Sequence, residues 1–214
     1  MAKTTAPLLG FGASGQIAKT QVYSKWKGRL YARKHVVPAN PRTTAQTATR
    51  TAFTWLMAVW KLSPSLWQDV WNAYATGQVL TGRNAMAKFN ISNLRTATDI
   101  TDLVFSPGAK GGLAPTSITV TPGAGQLQVA PGVPSLPVGW TIASATAIAI
   151  ASQDPTTDEL YQSFAQEATA TPWSPTITGL TASTAYEVGV YFKFQKPDGS
   201  FAYGTALQST GTPT

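Results

Sequence analysis

The residues able to do chemistry in this chain are few. His35 is the only histidine and there is no cysteine, so thiolate nucleophiles, disulfides and zinc on sulfur are excluded. Without a second histidine or a nearby carboxylate, His35 between Lys34 and Val36 reads as a solvated or interface residue. Asp154, Asp158 and Glu159 are the one close group of acids. Asp158 and Glu159 are adjacent, and adjacent side chains on a strand point to opposite faces, so they do not form a general acid and base pair. A weak calcium loop through Asp154 and Asp158 ranks below a plain solvated turn. The stretch GFGASG, residues 10–15, has the glycines of a phosphate loop. It lacks the Gly-Lys-Ser/Thr ending and a preceding strand, and reads better as part of a flexible arm.

One constellation remains. In KTQVYSKWKGRLYARK, residues 19–34, the cations Lys19, Lys25, Lys27, Arg29, Arg33 and Lys34 interleave with Tyr23, Trp26 and Tyr31. Cations among aromatic rings suit an acidic protein surface, with Trp and Arg as anchors. They also suit phosphates and bases. The plainest reading is a wet cationic face whose rings pack inward. The sign bias favours docking, because a face that is merely solvated mixes signs. Arg42 belongs to the same basic region. The interface set is therefore Lys19, Tyr23, Lys25, Trp26, Lys27, Arg29, Tyr31, Arg33, Lys34 and Arg42. No catalytic, cofactor-binding or metal-ligating residue is expected.

The elements that carry these residues follow from pattern. Strand-forming Ile17, Val22, Tyr23, Trp26, Leu30 and Tyr31, broken by Lys27-Gly28, predict a β-hairpin turning near 26–29. Thr43 and Gln46 make a capping box for a helix of about residues 43–62, with Ala45, Ala48, Ala52, Leu56 and Val59 along one face. Ser63-Pro64 reads as the start of a second helix, with Trp67, Val70, Trp71 and Tyr74 on one side and Gly77 at its end. Thr81 caps a third helix. Trp55, Trp60, Trp67 and Trp71 read first as a core rich in large rings. The competing reading exposes Trp60 and Trp67 as interface anchors.

The segment SPGAKGGLAP then marks a linker over residues 97–115. Beyond it, seven short β-branched stretches recur about every ten residues: 117–121, 125–130, 140–151, 159–166, 174–180, 185–195 and 202–210. That spacing predicts a β-sandwich. The fold class is thus an α+β N-terminal domain (residues 1–96) followed by an all-β sandwich of immunoglobulin-like type (residues 116–214). Charge divides near the same place. Residues 1–98 hold thirteen Lys/Arg and one acid, while residues 99–214 hold three and eight, giving +12 and −5.

The motif ITGLTASTAYEVGVYFKFQ resembles the fibronectin type III family. Leu180, Thr184 and Tyr186, followed by Val188 and Val190, match that family's Leu-x-x-x-Thr-x-Tyr-x-Val-x-Val corner. The resemblance implies a tyrosine hydroxyl bonded back to the chain near Leu180. The stretch GASGQIAKTQVYSKWKGRLYARKHVVPANPRTTAQTATR, with TGRNAMAKFN further on, resembles small proteins among the structural genes of tailed bacteriophages. This second resemblance implies a virion component without saying which; the expectation is a non-enzymatic one assembled in the host cytoplasm, in many copies. Its first-choice role is capsid decoration, with the major capsid protein or another virion protein as partner. A tail or head–tail joint position is the alternative. The C-terminal domain would face outward, with host-surface contact open to it. Nucleic acid ranks below protein as the partner of the basic hairpin, and no stretch is apolar enough to suggest a membrane partner.

Overall fold

The computed structural model describes residues 14–37, 39–40, 42–96, 100–151 and 163–214. The described residues are α+β, with three helices and antiparallel sheets, and the chain divides into two compact units, Met1–Arg42 and Thr43–Thr214.

In the first unit, β1 (Gly15–Ile17), β2 (Gln21–Trp26) and β3 (Arg29–Lys34) form a three-stranded meander in that order. The hairpin turn falls at Lys27 and Gly28, where φ is 47° and 79°. Two consecutive positive φ values make the tight turn whose twist suits a hairpin, and glycine adopts one of them without strain. Gly15, expected at the end of an arm, opens a third strand, because Ile17 pairs with Gln21 across the Ala18–Lys19–Thr20 turn; residues 1–13 of the expected arm lie outside the described residues.

The second unit is layered. α1 (Thr44–Leu62) starts at Thr43, whose hydroxyl accepts from the Gln46 N–H at 3.4 Å. α3 (Gly82–Leu94) starts in the same way at Thr81, accepting from Asn84 N–H at 3.3 Å. α2 (Ser65–Ala75) begins after Pro64, and Gly77 follows its end at φ 83°. Ser63 does not cap α2: its hydroxyl donates to the Val59 carbonyl at 2.6 Å and so closes α1 instead.

All seven stretches expected as strands carry strand structure within the described residues, with shifted ends. β5 (Ile118–Gly123), β6 (Gln126–Pro131) and β9 (Thr176–Thr178) form a three-stranded sheet. β7 (Thr141–Ala151), β8 (Ser163–Ala168), β10 (Tyr186–Gln195), β11 (Phe201–Thr205) and β12 (Leu207–Gly211) belong to a six-stranded sheet, joined at its edge by β4 (Pro107–Ala109). The last expected strand is two. β11 pairs with the far end of β10 and β12 with its beginning, interrupted at Ala206, whose N–H donates to the Ser106 carbonyl at 3.2 Å. Between the two sheets lie Leu127, Val129, Ala147, Ala149, Ile177, Tyr186, Val188 and Val190, all buried. This is sandwich packing, with alternate residues of each strand inward.

The other face of the six-stranded sheet is also covered. Ile148, Ile150 and Tyr191 share a core with Trp55, Leu56, Val59, Trp67, Val70, Trp71, Met86 and Leu94 of the helices. β7 and β10 are therefore buried on both faces, and their burial is nearly unbroken along the strand. The expected division after residue 96 does not hold. Its intended linker instead inserts Ile100, Leu103 and Phe105 into this core at 0–1% exposure and then forms β4. Phe105 lies so close to β10 that a Cβ at Gly189 would overlap its ring. Hydrogen bonds fasten the layers: Trp67 Nε1 donates to the Phe105 carbonyl at 2.7 Å, and Tyr191 Oη to the Leu66 carbonyl at 2.7 Å. Trp67 is thus a core residue, fully buried, and not an interface anchor; Trp60 is half-buried.

Candidate functional site

Moving the boundary to 42/43 changes the meaning of the charge. Residues 1–42 contain eight Lys/Arg and no carboxylate, a net +8. Residues 43–214 contain eight Lys/Arg and nine Asp/Glu, a net −1, and together these make the +7 of the chain. The helices therefore do not belong to a basic domain; the excess positive charge lies in the first unit.

Register sorts the basic sheet into two faces. Cross-strand partners are Gln21–Lys34, Val22–Arg33, Tyr23–Ala32, Ser24–Tyr31, Lys25–Leu30 and Trp26–Arg29. Directly paired residues share a face, and successive residues alternate. One face thus carries Val22, Ser24 and Trp26 with Arg29, Tyr31 and Arg33. The opposite face carries Gln21, Tyr23 and Lys25 with Leu30, Ala32 and Lys34, extended by Ile17 of β1, which pairs with Gln21. Both arginines lie with the exposed tryptophan; both strand lysines lie on the other side.

The rings differ accordingly. Trp26 is 66% exposed, with Lys27 Nζ 5.0 Å from its ring centroid. Tyr31 is half-buried. Tyr23 is 9% exposed and its hydroxyl donates to Gln21 Oε1 at 2.9 Å. It packs on the lysine face and does not share a surface with Trp26. Lys19 sits in the β1–β2 turn at φ 53°, and Arg42 is an exposed residue at the end of the unit, off the sheet. The ten residues read together from the sequence are therefore three groups: Trp26, Arg29, Tyr31 and Arg33 on one face; Tyr23, Lys25 and Lys34 on the other; Lys19, Lys27 and Arg42 at turns and the unit's end.

His35 is half-buried and its backbone N–H donates to the Thr20 carbonyl at 2.7 Å. Asp154, Asp158 and Glu159 lie outside the described residues, as does most of GFGASG. Among the described residues no group of three or more His, Asp or Glu is placed to hold a metal ion, and no helix is long and apolar enough to cross a membrane.

In the second unit Tyr186 makes the expected corner. Its hydroxyl accepts from the Thr181 N–H at 3.0 Å, one residue past Leu180, which is buried. Thr184 N–H donates to the Thr181 carbonyl at 3.4 Å and closes the turn. Two features were not foreseen. An open groove of about 400 Å³ runs between the end of α2 and the 107–112 turn, lined by Tyr74, Thr76, Gln78, Lys110 and Thr205 among others. Lys193 Nζ lies 4.5 Å from the Phe201 ring centroid and 5.8 Å from that of Tyr203, on the helix side of the sheet. Burial holds both Tyr191 and Tyr203 neutral to unusually high pH; the Asp69 and Glu167 carboxylates add to this at Tyr203, and at Tyr191 the neighbouring Tyr203 adds before them while a hydrogen bond with Thr146 opposes the shift. The sequence signal was there in the alternation Phe201–Tyr203 and Tyr191–Lys193, but which faces meet depends on register.

No protein-family model matches the chain, and no curated protein matches it. Among solved structures, it is similar to a computer-redesigned β-sandwich protein at 20% identity and TM-score 0.33, over 46% of this chain and 87% of that one. It is also similar to a myokine at 20% identity and TM-score 0.33, over 49% of this chain and all of that one. Likeness this slight carries no argument about function.

Proposed function

We propose that the chain is a non-enzymatic virion structural protein of a tailed phage. It docks through the basic sheet of residues 14–37 onto an acidic surface of a neighbouring virion protein, with capsid decoration as the favoured position. The observation that carries the docking is the segregation of charge. Eight cations and no carboxylate occupy residues 1–42, while the remaining residues are almost neutral. A small sheet with a two-thirds exposed tryptophan and no acid to balance its cations has the composition of a hot-spot surface for an acidic partner. The virion assignment rests on the resemblance of residues 12–50 and 81–90 to phage structural proteins.

The second unit is the cargo in this reading. Its strand orders, β5-β6-β9 and β12-β10-β7-β8, and the Tyr186 corner support a fibronectin type III-like sandwich. The helices over its outer sheet are an addition to that plan. Many copies per particle would let weak contacts add through avidity.

The test is mass spectrometry of purified particles, followed by a salt series. The chain should co-sediment with particles and be released as salt rises, because exposed charges are screened. Absence from particles would end the virion reading, and release that ignores salt would end the electrostatic one. A tail or joint position would appear as low copy number. The rival with an observation behind it is nucleic-acid binding, since Trp26 and Tyr31 share a face with two arginines. Steep loss of generic DNA affinity between about 50 and 200 mM salt would favour it.

A further inference from the structure

We infer that β3 is a receptor edge: the partner adds an extended acidic segment alongside it, with carboxylates opposite Arg29 and Arg33. This deepens the docking reading and rests on it. Three observations carry it.

First, β3 is an edge. The sheet order is β1-β2-β3, so among the described residues the outer side of β3 has no neighbouring strand. An edge presents main-chain N–H and C=O groups as a template for another strand. Second, the cations of the Trp26 face all lie on that edge. Arg29 and Arg33 are on β3, whereas the central strand contributes only Val22, Ser24 and Trp26 to the face. A ligand lying across the sheet, as a stacked nucleic-acid strand does, would meet no cation on the central strand. A ligand lying along the edge would meet both. Third, the spacing suits a strand. Arg29 and Arg33 are four residues apart, about 13–14 Å along a strand, and Tyr31 sits between them on the same face. A paired partner strand repeats this spacing, so acids at its positions i and i+4 stand opposite the two guanidinium groups, with position i+2 opposite Tyr31. Planar guanidinium groups favour bidentate carboxylates over a merely diffuse negative field.

The occupant is not a second copy of this sheet. Each copy carries +8 with no carboxylate in residues 1–42, so edge-to-edge pairing of two copies would set like charges opposite one another. Charged residues on an edge also discourage such pairing, and simple protection of the edge is the outcome that would overturn the inference.

The full-length chain is titrated with fluorescent nonapeptides, read by anisotropy at low and physiological salt. The first contains Glu-Thr-Phe-Thr-Glu, with acids at i and i+4. The second has the same composition with the acids at i and i+3, on opposite sides when extended. The third is the first peptide with N-methylated backbone amides, which cannot join a ladder. An oligo-dT of matched charge is the fourth probe. The first peptide should bind about tenfold more tightly than the second, the loss of one charge-assisted pair. N-methylation should weaken it by at least as much. R29Q/R33Q should erase the preference between the first two peptides, and K25Q should leave it. Because the peptide comparison uses the unaltered chain, it stands even if a variant fails to fold. Equal binding of the isomers, indifference to N-methylation, no peptide binding, or tighter binding of oligo-dT would each overturn the inference. If those results came with salt-reversible attachment to particles, the docking reading would survive and only the edge would be lost.

Discussion

Replacing Phe105 by Ala tests whether helices and sandwich are one cooperative body. Phe105 is 1% exposed, its ring centroid lies 5.6 Å from that of Trp67, and it also packs on Gly189 of β10. Removing the ring opens a cavity between α2 and the six-stranded sheet. The carbonyl that accepts from Trp67 Nε1 stays in place, so the change is mainly one of packing. A buried Phe→Ala change costs about 3–5 kcal/mol. In a unit of this size each kcal/mol lowers Tm by about 2–4 °C, so the unit should melt roughly 6–20 °C lower. Calorimetry measures the shift, and hydrogen-exchange mass spectrometry locates it. Peptides from α2 and from β10 should lose protection together, while β2 and β3 keep theirs. Loss of protection in the helices with β10 unchanged would refute the shared core and restore a division near residue 96.

Three other perturbations probe single links. Tyr186→Phe removes the acceptor of the Thr181 N–H and should cost about 1 kcal/mol in urea titrations without changing the slope. Asn90→Ala should cost more, about 2–3 kcal/mol in the same assay. Asn90 is fully buried, and its Oδ1 accepts from Val104 N–H at 2.6 Å while Nδ2 donates to the Met86 and Val104 carbonyls. Tyr191 titrates above its ordinary value of 10.0 in the folded state. The unfolded chain therefore loses that proton first, so stability is full below about pH 10 and falls as pH rises further. Tyr191→Phe should flatten that alkaline decline in thermal melts from pH 8 upward, at a small loss at neutral pH from the bond to Leu66. An undiminished alkaline decline in the variant would assign it to other groups.

Local elements were legible because local chemistry decides them. The Thr43 and Thr81 caps, the turn at Lys27-Gly28 and the Tyr186 corner each depend on residues within about six positions of one another. Ser63-Pro64 has the signature of an N-cap, yet the Ser63 hydroxyl donates to the nearer Val59 carbonyl. The 97–115 stretch has the composition of a linker because glycine and proline punctuate it. That composition also fits a segment that must pass close to other backbone, and Phe105 against Gly189 is such an approach.

The sequence by itself determined that cations and aromatic rings concentrate in residues 19–34, because composition and sign need no fold. It also determined the kinds of element and most of their order, since periodicity and caps are local. Only the tertiary structure decided that the helices cover the outer face of the six-stranded sheet, because which element packs on Ile148, Ile150 and Tyr191 is set by contacts between residues far apart in the chain. Alternation along each strand already parts Tyr23 from Trp26 and groups Arg29, Tyr31 and Arg33; only the register decided that this group shares a face with Trp26, because a one-residue slip would set it beside Tyr23 instead.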